Sequence, residues 1–172
     1  MTKTPAPFDY LPGHKSFLEP READAGHPDT ARCVVIPFGL EASVSYGGGT
    51  AKGPQAILDA SHQLELFDEE LWCEPHKDFG IAAIKQPKIK KKVDKALEQL
   101  ETLVGRVLDE GRFPFVLGGE HSLTAGAIRP FAAKYPDLVV LQFDAHADLR
   151  DGYHGEHYSH AAAMRRVLDN PN

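Results

Sequence analysis

Asp144, His146 and Asp148 alternate with small residues in the run Phe143-Asp144-Ala145-His146-Ala147-Asp148, and His121 stands in Gly118-Gly119-Glu120-His121-Ser122. Carboxylates and imidazoles without a thiolate form an oxygen and nitrogen donor set. Such a set suits manganese or another borderline-to-hard divalent cation and leaves zinc open. In an extended chain, positions 144 and 146 share one face about 6.6 Å apart. Both side chains can then converge on cations about 3.5–4 Å apart, as in two-metal sites. Position 148 would lie about 13 Å from position 144 if the strand ran on, so the chain must bend after His146 for Asp148 to join them. Each motif alone has an ordinary reading: a polar strand end capping the next helix, or a helix-start histidine with Ser122 as N-cap. The two together point to metal.

The elements that must position these groups are legible from the apolar pattern. Cys33-Val34-Val35-Ile36-Pro37-Phe38 reads as a buried strand. Gly47-Gly48-Gly49 reads as a loop, and Gly53-Pro54 precedes a helix over Gln55 to Ser61. That glycine loop is not a phosphate cradle, because no lysine–serine/threonine pair follows in register. From about Ile89 to Glu110, Val93, Ala96, Leu97, Leu100, Val104 and Val107 recur at helical spacing, and Gly111 is a stop signal. Phe113 to Leu117 reads as a second buried strand ending on Gly118-Gly119. Ser122 to Ala133 reads as a helix with Pro130 as a kink or early stop. Leu138 to Phe143 reads as a third interior strand, with Asp144 following its end. This order predicts an α/β fold, a three-layer α/β/α arrangement with a mainly parallel sheet. Ligands bind beyond the carboxyl ends of the strands in such sheets, where both motifs fall.

The 172 residues fit one domain, and 42% hydrophobic with 26% charged residues is ordinary for a protein with a core. A net charge of -6 argues against nucleic acid as a partner. The basic cluster of Lys88, Lys90, Lys91, Lys92 and Lys95 reads as a solvated face at a helix start. No apolar run is long enough for a membrane span. Cys33 and Cys73 give no disulfide framework, and Cys33 reads as a small buried hydrophobe. Met1 to Pro20 has no stretch of signal-peptide type, so a cytoplasmic location is expected. Residues 1–30 read as a polar N-terminal arm and 31–172 as one unit without internal repeats.

At these residues the chain resembles the ureohydrolases, the arginase and agmatinase family of binuclear manganese enzymes. Gly118 to Ser122 is similar to the family's first signature, with Glu120 for the commoner aspartate, and Phe143 to Asp148 is similar to the second. The likeness extends to Ser45-Tyr46-Gly47-Gly48-Gly49-Thr50-Ala51-Lys52-Gly53-Pro54. It also extends to Ser159-His160-Ala161-Ala162-Ala163-Met164-Arg165-Arg166, which looks agmatinase-like.

The resemblance implies that His121 and Asp148 bind one Mn2+, that His146 binds another, and that Asp144 bridges both. A hydroxide held between the ions would attack a guanidinium carbon, and His160 would contact substrate and transfer a proton. Agmatine, giving putrescine and urea, is the substrate most implied; guanidinobutyrate, arginine and formimino compounds are alternatives. By the resemblance, 31–172 would be the N-terminal portion of an arginase-like ureohydrolase catalytic domain, with its C-terminal strands and helices missing, and the complete protein is expected to be a homo-oligomer. Glu120 is expected to position its loop, and His154 and His157 to be exposed loop residues. The family's third signature, an Asp-x-Asp, does not occur after Asp148. A non-catalytic fragment or regulatory paralogue is therefore the competing expectation, with little activity from this chain alone.

Overall fold

The computed structural model describes residues 7–20 and 27–171; the parts of the expected arm at 1–6 and 21–26 lie outside the described residues. Three parallel strands, β1 (Cys33–Phe38), β2 (Ile81–Ala83) and β3 (Phe113–Gly118), form a sheet in the order β2-β1-β3. β1 runs down the middle, with Cys33 opposite both Ile81 and Phe113. It is buried from Val34 onward, as a continuous β-branched run in a central strand should be. The helices are α1 (Gly53–Ser61), α2 (Pro75–Phe79), α3 (Val93–Asp109), α4 (Thr124–Lys134) and α5 (Ala163–Leu168).

Strand alternation sorts the core into two faces. Val34, Ile36 and Phe38 pack on one side with Ala96, Leu97, Leu100, Val104 and Val107 of α3 and Ala125 of α4. Val35, Ile81, Ala83 and Leu117 pack on the other with Leu58 of α1 and with Leu11, Phe17 and Leu18. The expected three layers are present. Each fully buried Leu or Val side chain contributes about 1.5–3 kcal/mol, so the α3 stripe is the main anchor of its face. The close approach of α4 to α3 needs Gly126, where a Cβ would meet the Leu97 carbonyl oxygen at 2.6 Å.

The N-terminal residues have little regular structure but are tied to the sheet. Tyr10 bridges Ile84, the Leu11 N–H donates to the Ala83 carbonyl, and Ser16 Oγ accepts the Ala83 N–H. This covers the β2 edge, which would otherwise present unpaired backbone groups. The Arg112 guanidinium reaches the Ala31 and Pro28 carbonyls and the Tyr10 hydroxyl, fastening the same segment to the start of β3.

Four expectations need correction. Leu138–Phe143 joins no ladder: Val139, Leu141 and Phe143 are 79%, 80% and 97% exposed, while Leu138 and Gln142 are half-buried. Alternation is present, but apolarity alone does not make a strand without a backbone partner, and among the described residues none pairs with it. The long helix begins at Val93, not Ile89, so Lys88, Lys90, Lys91 and Lys92 lie in its extended, solvated lead-in and only Lys95 is on the helix. Pro130 does not stop α4, which continues to Lys134. Its ring packs toward Gly105 of α3, where a Cβ would lie 3.8 Å from it. β3 is only partly buried, with Phe113 59% and Phe115 40% exposed. Among the described residues, no helix is long and apolar enough to cross a membrane.

Candidate metal centre

β3 ends at Gly118, and Gly119 turns the chain across the end of β1. It has φ +45°, and a Cβ there would meet Leu40 backbone atoms at 2.6 Å. Only glycine fits that approach, and the Glu120 N–H then donates to the Leu40 carbonyl at 2.8 Å. A single 3-10 turn, His121–Leu123, follows and leads into α4. His121 thus sits at the carboxyl end of the sheet, on the first turn after β3.

There His121 meets the second motif. Its Nδ1 is 2.6 Å from Asp148 Oδ2 and 3.3 Å from Asp144 Oδ2. One ligand atom from each of His121, Asp144 and Asp148 lies within 4.8 Å of the others. The chain bends at Ala145 and His146, earlier than the bend expected after His146, so positions 144 to 146 are not extended, and Asp148 follows as a non-glycine residue at φ +49°. Its carbonyl accepts the N–H groups of Met164 and Arg165, both at 3.1 Å, and Arg150 N–H donates to the Ala161 carbonyl. The strained backbone is therefore held by the start of α5 while its carboxylate faces His121.

His146 is less committed. Its side chain is 82% exposed, with Nδ1 3.6 Å from Asp144 Oδ1. The Asp144 carboxylate is consequently split: Oδ2 faces His121, and Oδ1 faces His146 and accepts the His146 backbone N–H at 2.9 Å. That backbone hydrogen bond is the main cause holding the Asp144 carboxyl below its ordinary pKa, against an opposing effect of desolvation. The group is anionic where a cation would bind.

These residues fit a divalent metal. Bonds of about 2 Å at right angles place neighbouring ligand atoms about 3 Å apart, and the distances from His121 to the two carboxylates bracket that value. Asp151 and Asp169 do not belong to the cluster. Both pair with Arg166, at 2.8 and 3.2 Å, and the Arg166 guanidinium also contacts His157. His154 and His157 are exposed, as expected.

His160 opens a 3-10 turn, His160–Ala162, that packs on the His121–Leu123 turn. Both of its ring nitrogens are engaged: Nδ1 lies 3.3 Å from Ser43 Oγ and Nε2 lies 2.9 Å from Ser45 Oγ. The Tyr153 ring stands edge-on, its centroid 5.7 Å away. Sequence reasoning missed Ser43 and Tyr153 and took Ser45 only as part of a loop. The signal available was Ser-x-Ser, whose alternate positions lie on one side of an extended segment. Glu41, also missed, accepts the Gly49 and Ala51 N–H groups and the Thr50 hydroxyl, which orders the glycine loop. These bonds lower its carboxyl pKa, the one from Ala51 most. An apolar hollow lined by Phe17, Cys33, Phe79, Ile81, Phe113 and Phe115 lies at the opposite, amino-terminal ends of the strands.

Residues 31–172 match the Arginase family along their whole length. The chain belongs to the arginase family. It is 37% identical over 172 residues to the N(1)-aminopropylagmatine ureohydrolase of Synechocystis sp., covering 95% of this chain and 55% of that protein. The agmatine ureohydrolase of Thermoplasma volcanium superposes with a TM-score of 0.78 at 31% identity, over 91% of this chain and 50% of that one. The Trypanosoma cruzi formiminoglutamase crystallised with Mn2+ superposes with a TM-score of 0.74 at 26% identity, over 86% and 50%. The chain spans about half the length of the curated relatives it matches. The arginase-family fold and the metal-compatible cluster thus coincide at the carboxyl end of one parallel sheet.

Proposed function

We propose that this chain takes part in hydrolysing a guanidino compound, agmatine to putrescine and urea, at a centre that binds two Mn2+ in the complete site. The observation that carries this is the split Asp144 carboxylate. One oxygen turns toward His121 and Asp148 and the other toward His146, the arrangement needed for a bridging ligand. His121 and Asp148 would hold one ion and His146 the other. The donor set, and the manganese in the formiminoglutamase crystal, support that metal. When bound, such ions polarise the substrate and acidify water so that a nucleophile is available near neutral pH.

The chain's own residues supply the rest. Asp144 and Asp148 would offset part of the positive charge of the ions, which a guanidinium, charged at all ordinary pH, would otherwise meet. His160 is fixed through both ring nitrogens on a turn packed against that of His121. This fixing supports His160 as the group that would carry a proton to the leaving amine. The main-chain link from Asp148 to Met164 and Arg165 keeps the His160 segment in register with the ligands.

A second reading has a specific observation behind it. The relative 37% identical over 172 residues is named for N(1)-aminopropylagmatine, which shares agmatine's guanidino end. Manganese-loaded protein carrying this chain should release urea from agmatine or its aminopropyl derivative faster than from arginine or guanidinobutyrate. A preference for arginine or guanidinobutyrate in side-by-side assays would refute the assignment. A preference for aminopropylagmatine over agmatine would favour the second reading.

A further inference from the structure

Glu120 is 3% exposed and, among the described residues, belongs to no group that could hold a metal ion. Four donors converge on it. The Ala42 and Ser43 N–H groups both reach Oε2 at 2.6 Å, and the Ser43 and Ser122 hydroxyls reach Oε1. This explains how residue 120 fixes the 42–43 segment, but the consequence extends further through Ser43.

Ser43 Oγ has three neighbours: Glu120 Oε1 at 2.8 Å, the His160 backbone N–H at 2.9 Å and His160 Nδ1 at 3.3 Å. A hydroxyl has one hydrogen and two lone pairs. The carboxylate only accepts, so it takes the hydrogen. The backbone N–H only donates, so it takes one lone pair. The remaining lone pair faces Nδ1. A neutral imidazole with its lone pair on Nδ1 would set lone pair against lone pair there. We propose that Glu120 and Ser43 are positioning residues that fix the neutral His160 imidazole with its proton on Nδ1 and its lone pair on Nε2.

Nε2 is then the basic atom. Its partner, Ser45 Oγ at 2.9 Å, is exposed and has no other side-chain hydrogen bond among the described residues. The Ser45 hydroxyl donates to the neutral ring and accepts from the protonated one, so proton gain and loss at Nε2 leave the Glu120–Ser43 side unchanged. The catalytic importance of this tautomer rests on the proposed proton-transfer role of His160; the tautomer itself does not.

The test is long-range 1H–15N correlation on the histidine-labelled 172-residue chain at a pH where the imidazole is neutral, with His160 assigned by its loss in His160→Gln. The expected result is a pyrrole-type Nδ1 and a pyridine-type Nε2, the reverse of the form free histidine favours in water. Glu120→Gln is the sharpest variant. The amide oxygen can accept the two backbone N–H groups while its NH2 donates to Ser43, which frees the Ser43 hydrogen to point at Nδ1. The tautomer ratio should then shift toward Nε2–H by about fivefold or more, the scale of one hydrogen bond. Ser43→Ala should also lose the preference, and Ser43→Thr should restore it. These two carry the test if Glu120→Gln does not fold. An Nε2–H tautomer in the unmodified chain, or a preference unchanged by Ser43→Ala, would overturn the proposal. If the tautomer is as stated but His160→Ala leaves urea release intact, the functional reading fails and the positioning assignment stands.

Discussion

His121 Nδ1 and Asp148 Oδ2 stand 2.6 Å apart although 27 residues separate them in the chain. The contact joins the turn after β3 to the last residue of the second motif, and each partner is placed by its backbone. His121 follows the tight Gly119 turn, and Asp148 has φ +49° with its carbonyl bound to α5. Replacing Asp148 with asparagine keeps the shape and removes the charge. The variant should fold and lose affinity for Mn2+ by more than the roughly 10–100-fold that follows loss of an outer-sphere partner. Calorimetric titration of both proteins with Mn2+ checks this; unchanged affinity would show that Asp148 is not a ligand.

The two sides of Asp144 are unequal. On one side, His121 and Asp148 complete a group of three that could hold a metal ion; on the other, His146 is 82% exposed and 3.6 Å away. The 172-residue chain should therefore bind one Mn2+ in preference to a second. His146→Ala should leave the first ion nearly unaffected, whereas His121→Ala should abolish it. Binding isotherms followed by the paramagnetic signal of free Mn2+ distinguish the two. Two equally tight ions would contradict the asymmetry.

Much of this arrangement was legible in the sequence because the physical signals are local. The α3 stripe shows helical period, the β1 run is continuous and β-branched, and Gly118-Gly119 marks a turn that no other residue could make. That the chain must leave an extended path before Asp148 followed from reach alone, although the bend falls at Ala145 and His146 and not after His146. Leu138–Phe143 was misread because its apolar alternation reports a surface suited to burial, and pairing depends on residues elsewhere. Ser43 and Ser45 were not recognised as His160 partners because a contact across 117 or 115 residues leaves no periodic trace. Glu120 was expected to position its loop, and its four hydrogen bonds to residues 42, 43 and 122 show how.

Cys33 offers a check on the core that is independent of the metal. It begins β1, half-buried, and desolvation raises its thiol pKa despite the opposing charge of Arg112. The thiolate is the reactive form, so burial both shields the sulfur and depletes the nucleophile. Alkylation of Cys33 by iodoacetamide at mildly alkaline pH should be several-fold slower in the native chain than in urea, as read by peptide mass spectrometry. Equal rates would place Cys33 outside the packed strand.

Asp148 also couples the candidate metal cluster to the His160 segment. Its carboxylate faces His121, while its carbonyl receives the Met164 and Arg165 N–H groups at 3.1 Å. Next to it, Arg150 N–H bonds to the Ala161 carbonyl at 3.2 Å. A cation that fixes the carboxylate restrains the backbone of the same residue, and so restrains the start of α5. Local opening there should become rarer on metal binding, because an ion that binds the closed form alone stabilises it by about 2.7 kcal/mol at a hundredfold excess over its Kd. Hydrogen exchange measured by mass spectrometry should therefore slow across the peptide containing Met164 and Arg165 when Mn2+ is added. The α3 peptides should change far less. Asp148→Asn should remove most of the effect. Metal-induced protection spread evenly over α3 and α5, or retained in Asp148→Asn, would mean that Asp148 does not transmit the restraint.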